Sequence, residues 1–227
     1  MNSWLFLNTG AGESSWNMAL DEALLESSAD FGAPLLRFYG WKESAATFGY
    51  FQRYDDISNW TSLRPLTRRP TGGGLVPHDW DWTYTFVVPP NHEWYSIKAE
   101  ESYRRIHDWI SRAFAKLRLA TELAPSSSKE LPGRCFVGSE KFDLLWQGKK
   151  IAGAAQRRNK FGLLIQGSVQ EQPREVKRTD WENSMLKVAE NHFSCAWTEL
   201  KIPNQVLDRA EVLRRDKYSR DEYNKRK

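Results

Sequence analysis

Residues 68–79 read RRPTGGGLVPHD: two arginines, a threonine, three consecutive glycines and a His-Asp pair. Glycines accept positive φ and let the backbone come close to a ligand. Their N–H groups can form a concave anion site, and Arg68 and Arg69 add charge beside it. A bare triple glycine suits a surface turn equally well; the flanking Arg-Arg and His-Asp make the pattern more specific. Residues 148–158, GKKIAGAAQRR, put Lys149 and Lys150 at the start of a strand, with Gly153, Ala154 and Ala155 leaving room beside it. Small residues in a strand often mark where a ligand or backbone lies close. A lysine buried against a pocket there can hold a negative charge or act as an acid/base, whereas Lys149 reads as a solvent lysine at a hairpin. Cys135 lies in LPGRCFVGS beside Arg134. A thiol acts as nucleophile when neighbouring cations depress its pKa and solvent reaches it, while the commoner fate of a lone cysteine is an inert, half-buried thiol. Cys195, in HFSCAWTEL, has no such setting and reads as structural.

Those residues need elements to hold them. SWLFLNTG predicts a first strand, and residues 14–28 a helix capped by Ser14 or Ser15, with Met18, Leu20, Ala23, Leu24 and Leu25 near helical spacing. PLLRFYGW and SAATFGYFQ predict two short strands, and RPLTRRP a strand running into the glycine loop. DWTYTFVVPP alternates faces as a strand does and is ended by two prolines. Residues 95–118 predict the longest helix, with Tyr103, Ile106, Ile110, Ala113, Phe114 and Leu117 as its apolar stripe. LATELA predicts a strand, and residues 125–139 a loop dominated by Pro, Ser and Gly. Residues 141–158 predict a hairpin turning at Gln147-Gly148, and 159–170 a further strand. Helices are expected over 179–193, capped by Thr179 or Asp180, and over 203–226. Strands of variable length with helices inserted between them point to a mixed α+β sheet rather than regular βαβ units.

Composition narrows the class. The 227 residues suffice for one sizeable domain, and 40% hydrophobic with 27% charged residues is a globular balance. The eleven tryptophans read mainly as core and groove filler. Net charge is +4, with much of the excess in the last stretch, RRDKYSRDEYNKRK, which reads as a solvated, frayed tail. Two cysteines make no disulfide framework, and no C-x-x-C zinc spacing is present. MNSWLFLNTGAGESSW lacks the basic start and apolar core of a signal peptide, and no apolar run reaches membrane-spanning length. The expectation is a soluble, cytoplasmic protein in a reducing compartment.

Taken together, RRPTGGGLVPHD and KIAGAAQRR, with NMALDEALL (17–25), FGYFQ (48–52) and LLIQGS (163–168), resemble the lipoate/biotin protein ligase superfamily. The likeness covers most of the chain and is closest to the cysteine-dependent octanoyltransferases. It implies an α+β fold with a mixed, mostly antiparallel sheet and flanking helices on one side. Residues 1–200 are expected to form the catalytic domain, and 201–227 a C-terminal helical extension of it. The family's active-site lysine corresponds to Lys150, the one followed by Ile-x-Gly, and its Cys-Phe to Cys135-Phe136, fifteen residues earlier. Arg69, Thr71, Gly72, Gly73, Gly74, His78, Gly153 and Ala154 are then expected at the acyl ligand. The resemblance implies octanoyl or lipoyl transfer from acyl carrier protein, through a Cys135 acyl-enzyme, to a lysine of a lipoyl-type domain (glycine cleavage H protein or a 2-oxoacid dehydrogenase E2 subunit). It implies no metal and no cofactor, no membrane or nucleic-acid partner, and a monomer. Two features depart from the transferase pattern: Gln166-Gly167 stands where His-Gly is usual, and Gly74 where an arginine follows two glycines. Three alternatives stay open. One is an ATP- and Mg-dependent lipoate ligase, in which Arg68, Arg69 and the glycines bind phosphate. A variant of the transferase takes its acyl group from another lipoyl-domain protein. The last is a non-catalytic acyl- or nucleotide-binding protein.

Overall fold

The computed structural model describes residues 2–128, 138–172 and 174–226. Its elements run β1 (Asn2–Gly12), α1 (Ser14–Glu26), α2 (Ser28–Phe31), β2 (Leu35–Trp41), β3 (Ala45–Phe48), α3 (Tyr54–Trp60) and β4 (Leu66–Arg68). Then follow β5 (Val76–His78), β6 (Trp82–Val88), α4 (Glu93–Ser96), α5 (Ala99–Lys116), β7 (Glu122–Leu123), β8 (Leu144–Trp146), β9 (Lys149–Asn159) and β10 (Gly162–Val169). The chain ends with α6 (Arg178–His192), β11 (Cys195–Glu199), α7 (Asn204–Leu213), a π-helical turn (Arg214–Tyr218) and α8 (Asp221–Asn224).

Among the described residues, eight strands form one sheet in the order β11-β1-β2-β6-β10-β9-β8-β7. The β1 pairings with β11 and β2 are parallel, and every other pairing in that sheet is antiparallel. Strands β4-β3-β5 form a small second sheet. This is the expected α+β architecture with a mixed, mostly antiparallel sheet.

Period-two alternation sorts the side chains onto the two faces. Leu36, Phe38, Tyr84, Phe86, Val88 and Ile165 join Ile106, Trp109 and Phe114 of α5 and Trp181 and Met185 of α6 in one core. The other face gives Leu35, Tyr39, Val87 and Leu164 to a second core with α1 and α7. Helices therefore cover both faces, not one side as the resemblance implied. Five of the eleven tryptophans (Trp4, Trp82, Trp94, Trp109 and Trp181) are buried.

Several boundaries differ from the sequence reading because distant residues decide them. Neither Ser14 nor Ser15 caps α1. The Glu43 carboxylate accepts from the Ser14 N–H at 2.8 Å, and Ser14 Oγ donates to Thr67 Oγ1 at 2.7 Å. Helix α6 starts at Arg178, without a side-chain cap from Thr179 or Asp180. Strand β11, helix α3 and strand β5 were not expected; β11 exists because it pairs with β1, in the register Asn2↔Cys195. The Gln147-Gly148 turn is present, and both residues have positive φ, 50° and 73°. The basic C-terminus is not a frayed tail: Tyr218 and Asn224 are buried.

Trp109 is fully buried, and its Nε1–H donates to the Met185 carbonyl at 2.8 Å, tying α5 to α6. Trp109→Ala is expected to destabilise the protein by about 3–5 kcal/mol, the usual loss for a large buried aromatic, measured by urea denaturation; a loss under about 1 kcal/mol contradicts this packing.

Candidate active site

Facing β1's neighbours on the α1 side, the sheet carries two rows of residues in lateral register. Tyr39, Thr83, Ser168 and Gly153 pair in succession across β2, β6, β10 and β9. One step along, Arg37, Thr85, Gln166 and Ala155 do the same. Four strands span about 14 Å at ordinary interstrand spacing. A cavity of about 320 Å³ lies over the first row, walled by Met18, Trp41, Val76, His78, Arg69 and Lys150. That volume is at the lower end of the roughly 300–1,000 Å³ of small-molecule sites.

At the β9 end, Lys150 Nζ pairs with Asp143 Oδ2 at 2.7 Å, their side chains 7% and 0% exposed. Asp143 is held from two more sides: the Glu140 N–H donates to Oδ2 at 2.6 Å, and the Tyr103 hydroxyl donates to Oδ1. Burial first, and then the Asp143 charge, hold the Tyr103 phenol well above its ordinary pKa, so it stays a donor. The ammonium lies across Gly153, where an added Cβ would come within 2.9 Å of Nζ. This is the room that the small residues of β9 leave. Lys149, by contrast, is exposed.

His107 sits behind this cluster, fully buried, its ring 4.3 Å from that of Tyr103. Its Nδ1–H donates to the Tyr103 carbonyl at 2.9 Å, and among the described residues Nε2 meets no hydrogen-bond partner. Burial lowers its pKa from 6.5 to about 4, although Asp143 pulls the other way.

At the other end, Asp81 Oδ2 accepts from His78 Nδ1 at 2.9 Å, Thr83 Oγ1 at 2.8 Å and Ser168 Oγ at 2.7 Å. Burial pushes the Asp81 carboxyl up, but His78 and these hydrogen bonds outweigh it and lower the pKa. Trp41 stacks on the His78 ring at 3.8 Å, and Thr47 Oγ1 lies 2.7 Å from His78 Nε2. Thr47 Oγ1 also accepts from Arg69 at 3.0 Å, and Arg69 donates to the carbonyls of Gly72 and Gly74, each at 2.8 Å. The arginine thus shapes the glycine loop from within. Close approach explains one further glycine: a Cβ on Gly49 would collide with the Gly73 carbonyl.

Of the expected residues, Arg69, Gly73, Gly74, His78, Lys150, Gly153 and Ala154 line the cavity. Thr71 and Gly72 do not. Thr71 is buried beneath the loop, with its hydroxyl donating to Gln166 Oε1 at 2.7 Å, and the Gly72 carbonyl is turned to Arg69. Cys135 lies outside the described residues, but Gly138, Ser139 and Glu140, which follow it closely in sequence, line the cavity. Arg68 points away from it. Sequence reading missed Asp143, Tyr103, Asp81 and Trp41. Asp143 could have been found as the one carboxylate on the first arm of the Lys150 hairpin, whereas Tyr103 was hidden inside an apolar stripe. Gln166, noted only as a departure, has a defined place: its Nε2 donates to Asp21 Oδ2 at 2.7 Å. Cys195 is a buried free thiol, its pKa pushed up by burial to about 11. Among the described residues, no group of three or more His, Cys, Asp or Glu is arranged to hold a metal, and no helix is long and apolar enough to cross a membrane.

Residues 13–190 match the family model for the lipoyl protein ligase A/B catalytic domain. The octanoyltransferase LipM of Macrococcus caseolyticus is 36% identical over 180 residues, 73% of this chain and 65% of that relative. The LipM of Bacillus subtilis is 34% identical, over 74% of this chain and 65% of its own length. The chain therefore spans just under two thirds of these relatives. Among solved structures, the bi-partite lipoate protein ligase of Thermoplasma acidophilum, studied with its E2 lipoyl domain, superposes with a TM-score of 0.75. That match has 22% identity and covers 99% of this chain and 96% of that one, a likeness of fold.

The His107 environment has a pH consequence. Its folded pKa is depressed, so its contribution to stability is fully present above about pH 6.5 and is lost as pH falls towards 4. Wild type is expected to lose about 2 kcal/mol more than His107→Leu between pH 7 and pH 5, measured by urea unfolding at the two pH values. Equal losses contradict a neutral buried imidazole.

Proposed function

The chain belongs to the family of lipoyl protein ligase A/B catalytic domains, and from that premise we propose that it transfers an octanoyl group from a carrier-protein thioester to a lysine of a lipoyl-type domain. The observation that carries this reading is the Lys150–Asp143 pair at the cavity wall. It sits beside the segment that follows Cys135, at one end of a trough whose far end is closed by aromatic rings.

In the first step the Cys135 thiolate attacks the octanoyl thioester carbonyl, and the carbon–sulfur bond to the carrier thiol breaks. The Lys150 ammonium favours the thiolate and supplies a proton to the departing carrier thiolate. In the second step the acceptor lysine's amine attacks the acyl-enzyme. An amide forms, the Cys135 sulfur leaves as thiolate, and the proton shed by the amine returns to Lys150. Asp143 fixes the ammonium at one place, and Tyr103 and the Glu140 N–H fix Asp143. Backbone N–H groups near Gly153 and Ala154 are the candidates for stabilising the oxyanion. The acyl chain runs over Gly153, Ser168 and Thr83 towards Tyr39 and Trp41. Neither step needs a metal or a nucleotide. The donor is octanoyl-acyl carrier protein, and the acceptor a lipoyl-domain protein such as glycine cleavage H protein or an E2 subunit. The setting is the cytoplasm, where Cys135 stays reduced, and the working form is a monomer.

The chemistry of an adenylating ligase is less well served. Arg68, which that reading counts towards phosphate, is 1% exposed and bonded to protein carbonyls, and Arg69 is engaged with Thr47 and the glycine loop.

Octanoyl-acyl carrier protein and a lipoyl domain, mixed with the enzyme without ATP, are expected to yield octanoyl-lysine on the acceptor, scored by mass. Lys150→Ala is expected to lower the rate by about 10²–10⁴-fold, as loss of a general acid–base does. Product formed only from free acid and ATP, with pyrophosphate released, overturns the proposal in favour of the ligase.

A further inference from the structure

Arg68 precedes the glycine loop, yet its whole guanidinium is engaged by backbone. Nη1 donates to the carbonyls of Tyr50 at 2.8 Å and Gln52 at 2.6 Å. Nε donates to the Tyr223 carbonyl at 3.1 Å, and Nη2 to those of Asn224 and Arg226, each at 2.9 Å. Its own backbone N–H donates to Asn224 Oδ1 at 2.8 Å, while Asn224 Nδ2 donates to the carbonyls of Tyr218 and Arg220. One planar fork with five fixed donors thus joins two segments more than 150 residues apart in sequence: the turn after β3 and the end of the chain.

The turn matters because it abuts the ligand site. The Tyr50 N–H donates to the Thr71 carbonyl at 2.9 Å, and Gln52 Oε1 accepts from the Gly49 N–H. Gly49 presses directly on Gly73, and Gln52 lines the cavity. The other end of the C-terminal segment is anchored too. Lys217 Nζ meets both oxygens of Glu22 on α1, at 2.8 and 2.6 Å, and the Tyr218 hydroxyl donates to the same carboxylate at 2.6 Å. The π-helical turn, with its extra residue per turn, brings these adjacent side chains to one partner. Arg226 lies over the Tyr50 ring, 4.0 Å from its centroid.

We propose that residues 218–226, beyond the matched segment 13–190, are a strap that holds the rim of the ligand cavity, and that Arg68 is the positioning residue through which the strap acts on the Gly49–Gln52 turn and the glycine loop. The strap makes no bond to substrate. It fixes the place of Gln52, Gly73 and Gly74, so its loss loosens the site without removing any group from it. That the ligand is an acyl chain rests on the reading above; that the strap orders the rim does not.

The test is hydrogen–deuterium exchange on the full chain for wild type, Arg68→Lys, Asn224→Ala and, as control, Arg215→Ala, whose exposed guanidinium pairs with the adjacent Asp216. Arg68→Lys keeps the charge but loses the fork, and Asn224→Ala removes three hydrogen bonds without touching the turn. In both, exchange at residues 49–52 and 71–74 is expected to rise about five- to tenfold, the size of a lost hydrogen bond. Strand β10 should stay as protected as in wild type, which shows that the variants are folded. The control should match wild type throughout. With octanoyl-acyl carrier protein as the probe, KM is expected to rise by a similar factor with kcat changed by less than about twofold. Release of residues 219–226 with unchanged exchange at 49–52 in both variants overturns the strap. Absence of transfer by wild type, with the exchange pattern as expected, sinks only the transferase reading.

Discussion

A fully buried ion pair, Asp21 with Arg37, is the interaction on which the architecture of the site depends. The two side chains meet at 2.6 Å with no exposure on either. Burying such a pair is expensive, and it is tolerated only when the remaining donors and acceptors are satisfied. Here they are: Arg37 also donates to the Asn17 carbonyl and side chain, and Asp21 Oδ2 accepts from Tyr39, Thr85 and Gln166. The bonds of Asp21 reach three strands, so one carboxylate on α1 ties β2, β6 and β10 together. Gln166 extends the network to the glycine loop through Thr71. Apolar packing alone fixes a helix over a sheet only loosely; directional bonds fix which strand residues face the ligand.

Two further carboxylates repeat the device at the two ends of the cavity. Asp143 holds Lys150, and Asp81 holds His78. In each case a charged or titratable group that faces the cavity is oriented by an acid behind it, and that acid is oriented by hydroxyls or backbone N–H groups. Between these two ends the face of the sheet opposite α5 and α6 carries a row of small and polar residues, Thr83, Ser168 and Gly153, beside the apolar core it forms with α1 and α7. That is why a trough can exist there. The function we propose follows from its asymmetry: a cation at one end, aromatic rings at the other, and small residues between them.

Much of this was legible in the sequence, and the limits have physical reasons. The helix over residues 99–116 and the Gln147-Gly148 hairpin were readable because local periodicity and turn chemistry specify them. The glycine loop and Lys150 were readable because glycine clusters and a lysine among small residues are uncommon outside sites. Asp143, Tyr103 and Asp81 were not, since a carboxylate or phenol acquires its role only from partners brought close by folding. The same holds for β11, whose parallel partner lies at the other end of the chain. It also holds for the C-terminus, whose lysines and arginines looked like a solvated tail. What orders that segment is its backbone carbonyls meeting Arg68, a kind of partner that composition does not reveal.

The central claim is a covalent octanoyl intermediate on Cys135, and intact-mass spectrometry tests it most directly. The purified protein is incubated with octanoyl-acyl carrier protein without ATP, as wild type and as Cys135→Ser. Wild type is expected to carry an octanoyl adduct that hydroxylamine removes and the variant lacks. An enzyme that shows no adduct, yet modifies a lipoyl domain when given free octanoic acid and ATP, contradicts it.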